Sequence, residues 1–237
     1  MQLTLSLLRK QIQKEASSER AKNLSWFFKT GPGGYAEGDI FVGISVPQAR
    51  QLAKKFRDIP FQEKKKLLQS KIHEERMIAV LMFLADFAKA DDSLRKKIFR
   101  LYIQSTPYIN NWDLIDISAG KIVGSTFFPQ INVPLLTKFA QSKSLWKKRI
   151  AMLATSYYIA RQEFSEPLRI ATLLLHDDHD LIQKAVGWML REVGNKSPET
   201  EKKFLKTVYT TMPRTALRYA IEKFPQAERV KYLKGLV

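Results

Sequence analysis

The chain has 237 residues, of which 45% are hydrophobic and 27% are charged, so its composition is that of a globular protein and excludes intrinsic disorder. It contains no cysteine, which excludes disulfides, thiolate zinc sites and cysteine nucleophiles and fits a reducing, cytoplasmic location. Its 40 lysines and arginines against 23 acidic residues give a formal net charge of +17. We therefore expect a polyanionic partner, with nucleic acid ahead of an anionic membrane surface.

The beginning of the chain does not have the pattern of a signal peptide. Its apolar residues precede Arg9 and Lys10, whereas a signal peptide has the reverse order. The longest apolar stretch, Met77 to Phe83, is too short to span a bilayer. We expect a soluble cytoplasmic protein without a membrane partner.

Helical periodicity dominates the sequence after a glycine- and proline-rich loop at residues 30–35. Ser45 is a predicted N-cap, and the helix after it has apolar residues at spacings of three and four. His73 to Ala90 predicts a longer helix that is apolar on more than one side and therefore packs between neighbours. Strand-like alternation is scarce and hairpin signals are not found. The predicted fold class is all-α.

A basic residue followed by a few small or apolar residues recurs along the chain. The copies begin at Arg76, Arg149, Lys184 and Arg218, with spacings of 73, 35 and 34 residues. Helix-pair repeats of about 35–45 residues are typical of HEAT-like and ARM-like solenoids. We predict one solenoid domain over residues 1–237, with the repeated cations along a concave basic face. The alternative is chance recurrence of amphipathic helices.

The segment Asn110 to Asp116 places an aromatic residue and a carboxylate on one helix face. Trp112 and Asp116 are four residues apart, and Asn110 or Asn111 is a predicted N-cap. Asp113 in the first turn is explained by the helix dipole, whereas Asp116 is one turn further on. Without other evidence, the simplest interpretation of Asp116 is a salt bridge to a basic residue of the next repeat, and that of Trp112 is burial.

Two further segments carry candidate residues. Trp146-Lys147-Lys148-Arg149 has three successive cations, at least two of which face solvent or phosphate. In the other segment Gly187 precedes Trp188, and a glycine within a helix indicates close approach of a neighbouring helix or ligand. Trp188 is equally well explained as core or as the wall of a pocket.

Metal and nucleotide sites are not expected. The cluster His176 to Asp180 lies just before a helix, where Asp180 is the predicted N-cap, and no partner motif with ligand spacing occurs elsewhere. The loop at Gly31–Gly34 follows no predicted strand and precedes no Gly-Lys-Ser/Thr, so it does not match a phosphate-binding loop.

Three segments occur in a fixed order along the chain, and their combination is far more specific for a protein family than any one of them alone. They are Trp112-Asp113-Leu114-Ile115-Asp116, Trp146-Lys147-Lys148-Arg149-Ile150-Ala151 and Lys184-Ala185-Val186-Gly187-Trp188-Met189-Leu190-Arg191-Glu192. Together these segments resemble the signature segments of the AlkD-like DNA alkylation repair glycosylases. The similarity extends from about Trp26 to about Phe224. The early helix has Trp26-Phe27-Phe28 where a family member can have a tyrosine, so this chain lacks that hydroxyl.

The resemblance implies a HEAT-like solenoid that cradles duplex DNA and hydrolytically excises N3- and N7-alkylated purines. It implies no metal or other cofactor, no lyase step and no extrusion of the lesion into a pocket, unlike most enzymes that act on bases. Asp116 takes the position of the catalytic carboxylate, Trp112 and Trp188 those that hold the lesion nucleotide, and Arg149 the one that contacts the DNA backbone. Further DNA contacts are expected from Phe27, Lys148, Lys184 and Arg191. We expect a monomer.

The residues suit this chemistry independently of the resemblance. Glycosidic cleavage usually needs an acid to protonate the leaving group, but an N3- or N7-alkylpurine is already cationic. One carboxylate then suffices to stabilise the sugar cation or to hold the attacking water. Two alternatives remain open: a catalytically silent HEAT-like module that binds damaged or structured DNA, and a solenoid that binds acidic proteins.

Overall fold

The structure, a computed structural model, describes residues 3–237 and divides the chain into two compact units. The first unit ends at Leu114 and the second is Ile115–Val237. Within residues 3–237 every regular element is a helix, and the only β-type pairing is an isolated bridge between Ile40 and Ile72. The all-α prediction is confirmed.

The first unit is built from six helices and the start of a seventh. They are α1 (Leu5–Glu15), α2 (Ser18–Phe27), α3 (Val46–Lys55), α4 (Phe61–Leu68), α5 (His73–Lys89), α6 (Asp92–Gln104) and the beginning of α7 (Trp112–Ala119).

The second unit continues α7 through a π-helical turn at Gly120–Gly124 into short and long helices. They are α8 (Ser125–Phe127), α9 (Pro134–Ala140), α10 (Leu145–Ala154), α11 (Ser156–Ile159), α12 (Ser165–Leu174), α13 (Asp180–Lys196), α14 (Pro198–Val208), α15 (Arg214–Ala220), a 3₁₀ turn at Ile221–Lys223, and α16 (Gln226–Lys234).

Helix α5 is the centre of the first unit. It packs against α3, α4 and α6, which explains why apolar residues occur on more than one of its sides. The neighbouring α3 begins with a capping box, in which Ser45 and Gln48 satisfy each other's backbone N–H groups. The predicted N-cap and the predicted long helix are both confirmed.

Buried glutamates anchor the backbone just before two helices. Glu74 accepts hydrogen bonds from the N–H groups of residues 42–44, which lead into α3, and Gly43 donates the shortest of them at 2.8 Å. Gly43 has φ +83°, and a Cβ there would lie 2.1 Å from the carbonyl oxygen of Ser17. In the second unit Glu166 accepts from Asn132 and the following residue, just before α9. These carboxylates accept hydrogen bonds from backbone N–H groups that would otherwise lack acceptors.

The recurring cations do not all lie on a surface, which corrects the prediction that they line one face. Arg76 and Arg149 are buried, with 3% and 5% of each residue exposed, whereas Lys184 and Arg218 reach solvent. The two arginines are buried because each is paired with an aspartate of its own unit, Arg76 with Asp39 and Arg149 with Asp116. The repeat therefore marks equivalent buried ion pairs at two of its four positions.

Helix α13 is the centre of the second unit and packs against α10, α12, α14 and α15. A Cβ on Gly187 would lie 2.3 Å from the carbonyl oxygen of Ala216 in α15, so the predicted close approach at this glycine is confirmed. The predicted N-cap of α13 is wrong by one residue. His179 is the cap, and its Nδ1 accepts from the Leu181 N–H, which leaves Asp180 in the first turn.

No helix within residues 3–237 is long and apolar enough to cross a membrane. The predictions of a single domain and of a solenoid with a concave basic face remain predictions.

Candidate functional site

Asp116 and Arg149 form a paired charge in the second unit. Nε and Nη2 of Arg149 each donate to one oxygen of the Asp116 carboxylate at 2.8 Å. The arginine side chain is 6% exposed and the aspartate side chain 15%. Bidentate pairing fixes the plane of the carboxylate as well as its position. The salt bridge that is the simplest interpretation of Asp116 therefore exists.

The backbone of α13 holds the guanidinium on its other side. Nη1 of Arg149 donates to the carbonyl oxygen of Leu181 at 2.6 Å. Arg149 lies in α10, whose first turn is capped by Ser144. With all of these donors directed at protein oxygens, the structure places Arg149 behind Asp116 rather than at the surface. Its predicted contact with the DNA backbone remains a prediction.

Asp116 and Trp188 line one cavity of about 330 Å³ in the second unit. The remaining lining residues come from α10, α11 and α13 and from the residue that follows α11: Leu153, Ser156, Ile159, Ala160, Met189, Glu192 and Lys196. The indole Nε1 of Trp188 donates to Glu192 at 3.0 Å, which fixes the ring on the cavity wall. The cavity thus combines an aromatic face with a clamped carboxylate, and the role of Trp188 as a pocket wall is favoured over core packing.

Trp112 belongs to an aromatic cluster of the first unit. Its ring stacks on Phe28 with centroids 5.2 Å apart and planes 23° apart, and Phe27 contacts it edge-on at 6.0 Å. Nε1 of Trp112 donates to the Tyr35 hydroxyl at 3.2 Å. Phe27 is 55% exposed, so the cluster reaches the surface. The sequence reasoning missed Tyr35, which brings a hydroxyl to this cluster from the glycine-rich loop.

The start of α7 has more partners than helix capping alone requires. Asn111 accepts from the Trp112 N–H and Asp113 from the Leu114 N–H, both at 2.8 Å. The second oxygen of Asp113 is 2.8 Å from Nε2 of His73, a residue that no sequence pattern connects with Asp113. The explanation of Asp113 by the helix dipole alone is therefore incomplete.

The other cations predicted to contact DNA are engaged in ion pairs. Lys148 is 2.5 Å from Asp177, and Lys184 is 2.9 Å from Asp180, one turn before it on α13. Arg191 pairs with a glutamate of the 3₁₀ turn. Their predicted contacts with DNA remain predictions.

Within residues 3–237 no group of three or more histidine or acidic side chains has a geometry suited to a metal ion. Within the cluster at His176–Asp180, Asp177 accepts from the His179 N–H, and His179 accepts from the Leu181 N–H in the first turn of α13.

These features define a helical protein with an arginine-clamped carboxylate beside a tryptophan-lined cavity. The sequence matches the family model described as DNA alkylation repair enzyme over residues 8–224. The chain therefore belongs to the family of DNA alkylation repair enzymes, which confirms the resemblance seen in the three segments.

Among solved structures, the fold is similar to that of a predicted DNA alkylation repair enzyme from Enterococcus faecalis. The TM-score is 0.69 at 17% sequence identity, covering 90% of this chain and 98% of that chain. At this identity the likeness concerns the fold. The search of curated proteins gave no significant match.

Proposed function

We propose that this protein is a monofunctional DNA glycosylase that hydrolyses the N-glycosidic bond of N3- and N7-alkylated purines in duplex DNA. The repair of alkylated DNA is the role of its family. The proposal includes HEAT-like helix pairs along residues 1–237, a monomeric state and excision without extrusion of the lesion.

The observation that carries the proposal is the shared cavity of Asp116 and Trp188. If Asp116 were only a surface charge, its carboxylate would weaken the attraction of this strongly basic protein for a polyanion. Here both of its oxygens are held at 2.8 Å by one buried guanidinium, and it still borders open space.

The proposed reaction needs a group that stabilises positive charge. An N3- or N7-alkylated purine leaves as a neutral base, so the electrons of the glycosidic bond go to the base and the deoxyribose becomes oxocarbenium-like. The Asp116 carboxylate would stabilise that sugar cation or orient the water that adds to it. The face of Trp188 attracts a cationic base or sugar through its ring quadrupole, at about 0.5–2 kcal/mol.

The geometry gives Arg149 a role that the resemblance alone does not. Because Arg149 is buried and donates to Asp116 and to the Leu181 carbonyl, we propose that it orients the carboxylate. In that role it is a positioning residue, and the contacts to DNA phosphates fall to the more exposed lysines.

A base-release assay tests the proposal. The protein is incubated with a duplex that contains one 7-methylguanine and, in parallel, with a duplex that contains one hypoxanthine, a neutral lesion. We expect free 7-methylguanine and no hypoxanthine, because only the cationic base leaves without protonation. Comparable release of both bases would show that the cation argument is wrong.

The same samples decide the alternative of a silent DNA-binding module. If the wild-type protein saturates the 7-methylguanine duplex and releases no base, the glycosylase proposal fails. Affinity for duplex DNA that falls steeply with salt would then leave binding as the function.

A further inference from the structure

His73 lies between two carboxylates in the interior of the first unit. Its side chain is 3% exposed, with Nε2 2.8 Å from Asp113 and Nδ1 3.3 Å from Asp39. Arg76 also faces it: Nη2 is 2.8 Å from Asp39 and 3.3 Å from Nδ1 of His73. Asn110 donates to the other oxygen of Asp39 at 3.3 Å. The histidine is thus one member of a closed polar network.

The protonated form of His73 suits this network best. An ionised carboxylate is only an acceptor, so both ring nitrogens need a proton to bond with Asp113 and Asp39. Burial lowers the pKa of His73, but the charge and hydrogen bond of Asp113 and the hydrogen bond of Asp39 outweigh burial and the opposing charge of Arg76. The pKa of His73 is therefore raised above its ordinary value of 6.5.

A continuous stack of rings joins the same histidine to Trp112. The imidazole stacks on Phe41 with centroids 4.6 Å apart, and Phe41 stacks on Phe28 at 5.0 Å. Phe28 in turn stacks on Trp112 at 5.2 Å. Since Asp113 directly follows Trp112 in α7, His73 is connected to the indole in two ways, through the ring stack and through the backbone of the first turn.

We propose that His73 is a positioning residue, which holds the first turn of α7 and the indole of Trp112 in one arrangement through its hydrogen bond to Asp113, while Asp39 contacts the other side of the imidazole. Its consequence for base excision rests on the proposed function, in which Trp112 contacts the lesion nucleotide. The arrangement of Trp112 in the free protein does not depend on that function.

Two substitutions separate the hydrogen bond to Asp113 from simple filling of space. The amide of glutamine reaches the place of Nε2, so His73→Gln keeps a donor to Asp113. The shorter His73→Asn reaches only the place of Nδ1 and leaves Asp113 without that donor. Asp113→Asn is a third variant that removes the charge of the partner and keeps its size, and its oxygen still accepts from the Leu114 N–H.

The first readout is the fluorine spectrum of the protein labelled with 5-fluorotryptophan. The four tryptophans give four resonances, and Trp112→Phe identifies the one from Trp112. We expect His73→Gln to leave this resonance within its wild-type line width, and His73→Asn and Asp113→Asn to shift or broaden it. In the wild type it should move when the pH is raised through the titration of His73, and in His73→Gln it should not.

The second readout is the single-turnover rate of 7-methylguanine release. We expect His73→Asn to lower the rate about tenfold, because a misplaced contact residue costs orientation. His73→Gln should stay within about twofold of the wild type, and both variants should bind duplex DNA as the wild type does.

The two readouts distinguish a failure of the positioning role of His73 from a failure of the proposed glycosylase function. An unchanged Trp112 resonance in His73→Asn overturns the positioning role, as do equal effects of the asparagine and glutamine variants on resonance and rate. If His73→Asn does not fold, Asp113→Asn and the pH series give the same decision. If the wild type releases no base, the proposed function fails, and the fluorine spectra still decide the role of His73.

Discussion

Replacing Arg149 by methionine should destabilise the protein strongly, because it breaks the buried pair with Asp116 from one side. The change keeps most of the aliphatic stem and removes two hydrogen bonds to the carboxylate and one to the Leu181 carbonyl. Asp116 then keeps its charge without its bidentate partner. Removal of one member of a buried pair typically costs about 3–5 kcal/mol.

The loss is measured by urea unfolding and by the melting temperature. In a chain of this size each kcal/mol corresponds to about 2–4 °C, so Arg149→Met should melt about 6–20 °C below the wild type. Asp116→Asn should cost less, because its remaining oxygen still accepts from the guanidinium. The double variant should be more stable than the sum of the two losses predicts, with a coupling of about 2 kcal/mol.

An exposed pair in the same unit is the control. Lys184→Met removes a lysine that pairs with Asp180 on the outside of α13, where such pairs contribute about 0.3–0.5 kcal/mol. A loss below about 1 kcal/mol for Arg149→Met, or a coupling near zero, would refute the reasoning that Arg149 holds Asp116.

Three further predictions concern the second unit. Gly187→Ala should destabilise by about 1–3 kcal/mol in urea unfolding although alanine favours helix, since its Cβ would lie 2.3 Å from the Ala216 carbonyl oxygen; a stabilised variant would contradict the close approach. Burial raises the pKa of Glu201 from 4.5 to about 8, so the wild type loses stability as the pH rises through this window and Glu201→Gln does not. The free energy of unfolding of Glu201→Gln should exceed that of the wild type by about 1–3 kcal/mol at pH 8.5 and by much less at pH 5. An equal difference at both pH values would refute the assignment. Trp188→Phe, which loses the hydrogen bond to Glu192, should lower kcat/KM for 7-methylguanine release about tenfold with little loss of stability, and an unchanged value would place the indole outside the reaction.

Much of the fold follows from local patterns in the sequence. The capping box at Ser45 and the long α5 were predictable because both depend on residues a few positions apart. The close approach at Gly187 was predictable because a glycine inside a helix carries a cost that only packing offsets. These features need no knowledge of distant partners.

The interior ion pairs could be predicted only in part, since the sequence indicates a salt bridge for Asp116 but neither its partner nor the burial of that partner. Arginine is rarely buried, so Arg76 and Arg149 were assigned to a surface. Their partners, Asp39 and Asp116, lie more than 30 residues away and no local pattern joins them. The hydrogen bond between His73 and Asp113 likewise connects residues 40 positions apart, so the local sequence indicates only the helix dipole as an explanation of Asp113.

Only some of the residues that line the cavity could be predicted from the sequence. The resemblance brought Asp116 and Trp188 together as site residues, and the structure gives them a common cavity wall. Glu192 and Lys196 also line it, although Glu192 has no predicted role in the third segment and Lys196 lies outside all three segments. Both face the cavity because they lie one and two turns after Trp188 on α13.

The most direct test of the role of Asp116 compares two variants with the same change in charge. Asp116→Asn removes the carboxylate at the cavity, and Asp178→Asn removes an exposed one before α13, so both should attract DNA equally. The measurement is the single-turnover rate of 7-methylguanine release from duplex DNA, with protein in excess over its dissociation constant. We predict a rate about 10²–10³-fold below the wild type for Asp116→Asn and a wild-type rate for Asp178→Asn. Rates for the two variants within threefold of each other would contradict the account.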